Sequence, residues 1–367
     1  MGRGGNGNRQ PELPLRPTLF PAAACFGCRG VTIQLGIIRS MITRSQLPLI
    51  LAHYGLSPAH IYPPQSGYRN YSYRIDLPGH RTANLIIYKS EPGMPDRIRR
   101  ANAIGNYLAT HGLPARATLD PRILRLTSNP EQYAALYHYL PGQTIPWEAY
   151  TMEHLKTLGA TMARMHAVLL SAPPSNLSLV TTEYLAIITR MQSYFADPGV
   201  ATAISKKLSI LDNFRILRQY ELLILETNRL PAQPLHLDFV RGNILFDLST
   251  AAKPRVSGIL DFEKAALGHP ILDIARTLAF LLVDCKFKTE AQVQKYFLYS
   301  GYQKRGGGVV PNPKLLGQLI NLFLLYDFYK FLRHNPYESL SQNEHFVRTK
   351  DLLLRREVIL PAAAFAI

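Results

Sequence analysis

Residues 235–247 read LHLDFVRGNILFD, with His236, Asp238, Asn243 and Asp247 set among apolar neighbours. A segment entering a core does not carry polar side chains this densely without a use for them. Two uses fit: a polar turn between strands, or a loop built to hold something charged. Eighteen residues past Asn243 stands Asp261, inside GILDFEKAALGHPILDIAR (258–276). Phosphoryl transfer from ATP requires a carboxylate to orient the attacking hydroxyl, oxygen ligands for Mg²⁺, and a cation for the phosphates. Mg²⁺ prefers hard oxygen ligands and keeps several waters, so one carboxylate and one amide carbonyl suffice. Asp238 suits the first role and Asn243 with Asp261 the second. Lys89, closing the strand-like run NLIIYK (84–89), suits the third.

Bulk properties agree with an enzyme of this size. The chain has 367 residues and 47% hydrophobic content, enough for two domains or one two-lobed one with a large core. No apolar run reaches the roughly 20 residues of a membrane helix. The longest, 315–326 and 271–283, carry interior polar residues and read as core helices. The three cysteines, Cys25, Cys28 and Cys285, make no disulfide framework, and Cys25 and Cys28 lack the partners of a zinc site. A reducing, cytoplasmic setting is expected. The net charge is +16, of which five arginines against one acid in residues 1–40 supply +4. The rest is scattered and not interleaved with aromatics, so a solvated surface is expected rather than nucleic-acid binding.

Three segments follow. Residues 1–40, rich in Gly, Pro, Arg and Asn, show no sustained periodicity and are expected to be a disordered extension. Residues 41–140 contain a short helix over 45–56, then β-rich runs at 70–76 and 82–89 joined by LPGHR, a hairpin signal. A helix over 96–112 is predicted next, capped by Asp96 and stopped by Gly112, followed by two more strands ending at Pro141-Gly142. Residues 141–367 are mainly helical. In this part Leu155, Leu158, Met162, Met165 and Leu169 recur at three- and four-residue steps on one face, and a further helical stretch covers about 181–228. The fold class expected is α+β, with a strand-rich nucleotide-binding lobe and a helix-rich lobe carrying the catalytic loop, metal site and substrate pocket.

This ordered set resembles the aminoglycoside phosphotransferase and choline kinase family, the small-molecule branch of the protein-kinase-like fold, over roughly residues 45–350. SGYRNYSYRI (66–75) is similar to the family's nucleotide-covering loop, and LYHYLPG (136–142) to its hinge. The resemblance therefore implies nucleotide contacts at Ser66, Gly67, Tyr137 and Tyr139 besides Lys89. LGATMARMHA (158–167) resembles the family's helix ending in Leu-His, HLDFVRGNIL (236–245) its catalytic loop, and 258–276 its metal segment with trailing Asp273. It implies ATP and Mg²⁺ as cofactors and a small-molecule hydroxyl as acceptor. His236 is expected to hold the loop, Asp273 to brace it or cap its own helix, Asp247 to sit in a hairpin, Glu263 to line the site, and Asp327 to be structural rather than to meet a cationic substrate group.

There are departures. Val240 replaces the lysine of protein kinases, which favours a small-molecule substrate, and Leu237 stands where the family often has Gly. The helix over 96–112 has no glutamate near Ala101 or Asn102 to partner Lys89, leaving Glu91 or Asp96 for that role. The missing glutamate motivates a second reading, a nucleotide-binding pseudokinase with a regulatory role. With 25 acids against 41 basic residues, a polycationic aminoglycoside is disfavoured, leaving amino alcohols, choline-like amines and sugars as acceptors.

Overall fold

The computed structural model describes residues 42–66, 70–128, 130–146, 149–173, 176–211, 216–249, 253–306 and 312–361. Gly67, Cys25, Cys28 and the expected extension over 1–40 lie outside them. Helix α1 (Leu47–His53) precedes short strands β1 (His60–Ile61) and β2 (Gln65–Ser66), then the hairpin of β3 (Tyr71–Leu77) and β4 (Arg81–Tyr88). The hairpin turn needs left-handed backbone, which Gly79 (φ 76°) and His80 (φ 59°) adopt. Helix α2 (Met94–Thr110), β5 (Thr118–Ser128) and β6 (Glu131–His138) complete this part. The sheet is antiparallel, ordered β1-β3-β4-β6-β5, with β2 also on β3.

Alternation along β4 separates two apolar clusters. Leu85 and Ile87 pack with α1, whereas Ile86 and Tyr88 pack with Met94 and Ile98 of α2. Gly93 (φ 71°), not Asp96, occupies the N-cap of α2. The helix starts two residues before the expected point, Pro95 fits its first turn, and Asp96 instead complements the helix dipole there. Gly112 (φ 76°) ends it as expected. Gly105 is required because a Cβ there would lie 2.2 Å from the Arg116 carbonyl oxygen. That contact presses α2 against the link leading into β5.

The helical part opens with α3 (Met152–Leu169), capped by Thr151, whose predicted stripe of Leu155, Leu158, Met162, Met165 and Leu169 is buried. The stretch expected to be helical over 181–228 is three helices, α4 (Val180–Phe195), α5 (Pro198–Leu208) and α6 (Ile216–Thr227), interrupted by β7 (Ile210–Leu211). Asp197-Pro198 starts α5, and Ser209 (φ 53°) ends it. Beyond them come β8 (Gln233–Leu235), β9 (Ile244–Asp247), β10 (Arg255–Ile259) and β11 (Ala266–Gly268). Strand β9 pairs with β10 and β8 with β11. Asp247 accepts the Ser249 N–H (2.9 Å) at the β9 end of its hairpin.

Helix α7 (Pro270–Asp284) is buried along most of its length. Helix α8 (Glu290–Val293) runs into a π-helical turn, Gln294–Tyr302, and α9 (Pro313–His334), α10 (Tyr337–Leu340), α11 (Glu344–Arg355) and β12 (Leu360–Pro361) follow. Among the described residues α9 alone is long and apolar enough to cross a membrane, but 61% of its most apolar stretch is buried inside the protein. It packs on α7 and α11.

Candidate active site

The loop over 236–243 joins β8 to β9, and the segment over 260–265 joins β10 to β11. Because those strands pair crosswise, the two loops are held side by side, and the Leu260 N–H donates to the Asn243 carbonyl (2.8 Å). Leu237 adopts φ 57°, a left-handed conformation that costs a non-glycine residue energy. This is the physical content of the family's frequent glycine. Asp273, fully buried at the start of α7, fixes the turn: Oδ2 accepts the His236 N–H (2.9 Å) and Oδ1 the Leu237 N–H (3.0 Å). His166 of α3 adds a third contact to Oδ2 at 3.2 Å and meets the Tyr302 hydroxyl at 2.8 Å. Asp273 is therefore the brace the sequence implied.

His236 also serves the loop. Its Nδ1 accepts the Asp238 N–H (3.1 Å), so the ring proton sits on Nε2 and points to the Leu260 carbonyl (3.0 Å). Burial lowers its pKa and favours the neutral form. It ties the loop over 236–243 to the segment over 260–265.

Asp238 is 7% exposed. Its Oδ1 lies 2.7 Å from Lys264 Nζ and 3.4 Å from an Arg276 guanidinium nitrogen, while Oδ2 accepts the Asn243 amide at 3.1 Å. Burial alone would raise its pKa, but Lys264 and Arg276 outweigh burial and hold it at about 2. Burial and Arg276 push the Lys264 ammonium below its usual range, with Asp238 pulling the other way. Sequence reasoning singled out neither cation. A signal existed for both: Lys264 follows the DFE triplet directly, and Arg276 stands one helical turn beyond Asp273.

Asn243 and Asp261 fit a hard cation. Both Asn243 amide hydrogens are directed at Asp238, to its carbonyl (2.9 Å) and to Oδ2, so Oδ1 is the atom left to face a metal. Asp261 adopts φ 58°, which turns the segment sharply, and among the described residues its Oδ1 accepts one long 3.3 Å bond, from the Glu263 N–H. One carboxylate and one amide oxygen match what Mg²⁺ takes from protein when phosphates and water complete its shell. Among the described residues no cluster of three His, Cys, Asp or Glu forms a metal cage of its own.

The strand-rich part contributes unevenly. Lys89 lies one residue past β4 and is exposed. Its N–H donates to Asn70 Oδ1 (3.2 Å), and the Asn70 amide donates to Glu263 Oε1 (3.2 Å), which brings it near the metal segment. Glu91 pairs with Arg97 at 2.7 Å and Asp96 with Arg99. Ser66 ends β2, and Tyr139 is half-buried beneath the Arg74 guanidinium, 5.1 Å from its ring centre. Tyr137 departs from expectation. Its side chain is fully buried, its hydroxyl bonds Tyr88 (2.6 Å) and Asn102 (2.8 Å), and it presents no phenol surface to a nucleotide. The hinge-like run LYHYLPG placed it correctly in sequence, but strand alternation turns it inward.

A cavity of about 440 Å³ is walled by Lys264 and Arg276, the two cations on Asp238, and by Lys330, Glu183, Asp327 and Tyr184 among others. Asp327 is committed to structure: its oxygens lie 2.7 Å from Lys330 and His345, and burial is outweighed by His345 and Lys330, which hold its pKa at about 2.

The sequence and fold were compared with known proteins. The model of the phosphotransferase enzyme family (APH) matches residues 60–307. A hydroxylysine kinase from Danio rerio is 26% identical over 200 residues, which is 49% of this chain and 53% of that protein. The chain thus spans about half the length of this curated relative. Among solved structures, amicoumacin kinase hAmiN in complex with AMP-PNP, Ca²⁺ and Ami superposes with a TM-score of 0.62 at 15% identity, covering 86% of this chain and 95% of that one. A microcompartment-associated aminopropanol kinase gives 0.57 at 16%, covering 86% and 97%. The crosswise loops, the braced aspartate and the family match lead to one identification: this chain belongs to the phosphotransferase enzyme family, with its kinase-like α+β fold.

Proposed function

We propose that the chain is an ATP- and Mg²⁺-dependent kinase that phosphorylates a hydroxyl of a small amino alcohol also bearing an anionic group. The observation that carries this is the carboxylate of Asp238, kept ionised by Lys264 and Arg276, two cations that also line a cavity with walls of both charge signs. Oδ1 is taken by two cations, so Oδ2, which meets only the Asn243 amide among the described residues, is the oxygen an acceptor hydroxyl would reach. The hydroxyl oxygen attacks the γ-phosphorus and forms the new P–O bond. The bond to the β–γ bridging oxygen breaks, ADP leaves with its electron pair, and the hydroxyl proton passes to Asp238. An acid held near 2 is a weak base, so its main work is orientation, which suits a loose transfer whose proton leaves late. Mg²⁺, held by Asn243 and Asp261, would neutralise charge on the phosphates.

The acceptor class follows from the cavity. Lys264, Arg276 and Lys330 would repel a polycationic antibiotic. Lys264 and Arg276 suit a carboxylate beside the reacting hydroxyl, and Glu183, exposed on the cavity wall, suits an amine at the other end. The relatives named above include kinases of hydroxylysine and aminopropanol, both amino alcohols. A coupled ADP-release screen over hydroxy-amino acids, simple amino alcohols, choline, sugars and aminoglycosides tests the proposal. Turnover should be highest for hydroxy-amino acids. Nucleotide binding without turnover of any alcohol would instead support the regulatory pseudokinase.

A further inference from the structure

Arg116 lies on the link between α2 and β5. Its N–H donates to the Ile259 carbonyl (2.9 Å), two residues before Asp261, and its own carbonyl is pressed against Gly105. The backbone position is therefore fixed from both sides. The side chain is 8% exposed, and its guanidinium stands 4.7 Å over the ring of Tyr137. The nearest carboxylate oxygen, Oε1 of Glu263, is 3.9 Å away, beyond hydrogen-bonding distance. No described residue accepts a hydrogen bond from this guanidinium. A guanidinium this deeply buried, with no acceptor at hydrogen-bonding distance among the described residues, is an unfavourable arrangement unless a ligand completes it. The charged groups that act on it are Asp261 and Glu263, the metal segment itself.

The surroundings explain why a cation from this link is needed. The α2-facing side of β4 offers Ile86 and Tyr88, both buried and without charge at neutral pH. Lys89 has the parity of Leu85 and Ile87, which face the other cluster, and it is exposed. Asn102 stands where a helix glutamate was expected and accepts the Tyr137 hydroxyl. With no buried lysine on the strand, that glutamate has no partner to hold, and the buried charge pair is Arg116 with Glu263.

We propose that Arg116 binds the nucleotide phosphates in the role the family resemblance gave to Lys89, an inference that rests on the kinase reading above. A guanidinium fork suits two phosphate oxygens at once, and the Tyr137 face and Glu263 keep it oriented.

Calorimetric titration of the purified chain with Mg·ADP and with adenosine tests this, because adenosine carries no phosphate. Arg116→Gln should weaken Mg·ADP about tenfold to a hundredfold while leaving adenosine affinity unchanged. Lys89→Met should change neither appreciably. Because Arg116→Gln leaves Glu263 unpaired, Arg116→Gln/Glu263→Gln serves as a second variant with both charges removed and should show the same split. Parallel losses for adenosine and ADP would overturn the proposal in favour of a purely structural arginine. So would wild-type ADP affinity in both variants, or a large ADP-specific loss in Lys89→Met. Wild-type protein that binds Mg·ADP and turns over an alcohol, with Arg116→Gln identical to it, would sink only the arginine assignment. Wild-type protein that binds neither ligand would remove the kinase reading and this proposal with it.

Discussion

Lys264 Nζ lies 2.7 Å from Asp238 Oδ1, at the edge of the cavity proposed to receive the acceptor. In the proposed mechanism the pair links the electrostatics of Asp238 to the chemistry of the acceptor. Lys264→Met would leave burial to act on Asp238 chiefly against Arg276, with a smaller effect of His236, so its pKa should rise from about 2. The acid limb of the kcat profile should then move to higher pH, and KM for an anionic acceptor should increase. An acid limb that stays in place would separate Lys264 from the reaction.

Asp261 should matter to both binding and transfer. Asp261→Asn removes a negative charge from the metal site and should lower Mg²⁺-dependent ADP affinity by at least about tenfold, as losses around metal sites commonly do. Titration with ADP in Mg²⁺ and in EDTA checks it. If the Mg²⁺ dependence of affinity is the same in the variant and the wild type, Asp261 is not a ligand.

Asp273 is the keystone of the loop rather than a reacting group. It is fully buried and accepts two backbone N–H bonds at 236 and 237 besides the His166 contact. Asp273→Ala should cost about 3–5 kcal/mol, as removal of one partner from a buried charged network does. A urea midpoint close to the wild-type value would show that the left-handed Leu237 turn stands without it.

The fold and much of the framework of the loop were legible in sequence, in large part because they rest on local rules. The β3–β4 hairpin followed from LPGHR, and α3 from its apolar spacing. The loop-holding role of His236 followed from the motif, and the brace by Asp273, 37 residues from His236, was one of two roles that the family resemblance gave it. What escaped was set by distant packing. Tyr137 turned inward because β6 places it against Tyr88 and Asn102, contacts hidden by separations of 49 and 35 positions in the chain. Arg116 reached the metal segment only because Ala115 bridges Ile259 across the fold. Lys264 and Arg276 were visible as residues but not as partners, since the meeting point depends on how α7 packs against the loop.

Asp284, at the end of α7, gives a pH prediction. Burial is the main cause that raises its pKa, to about 6, against an unfolded value near 4. Between about pH 4 and 6 the folded state holds the extra proton, so this group's contribution to stability falls as pH rises through that window. Asp284→Asn should therefore raise the melting temperature at pH 8 and have a smaller effect at pH 4. The opposite order would mean that His345, 3.6 Å away, dominates the site.

The most direct measurement is on Asp238→Asn, with Mg·ADP affinity and the rate of phosphoryl transfer determined on the same folded sample. The variant keeps the shape of the loop and the proposed metal ligands but loses the carboxylate proposed to orient the hydroxyl and take its proton. Nucleotide affinity should stay near the wild-type value while transfer falls by roughly 10²- to 10⁴-fold. Turnover close to wild type would contradict the catalytic role of Asp238 in LHLDFVRGNILFD.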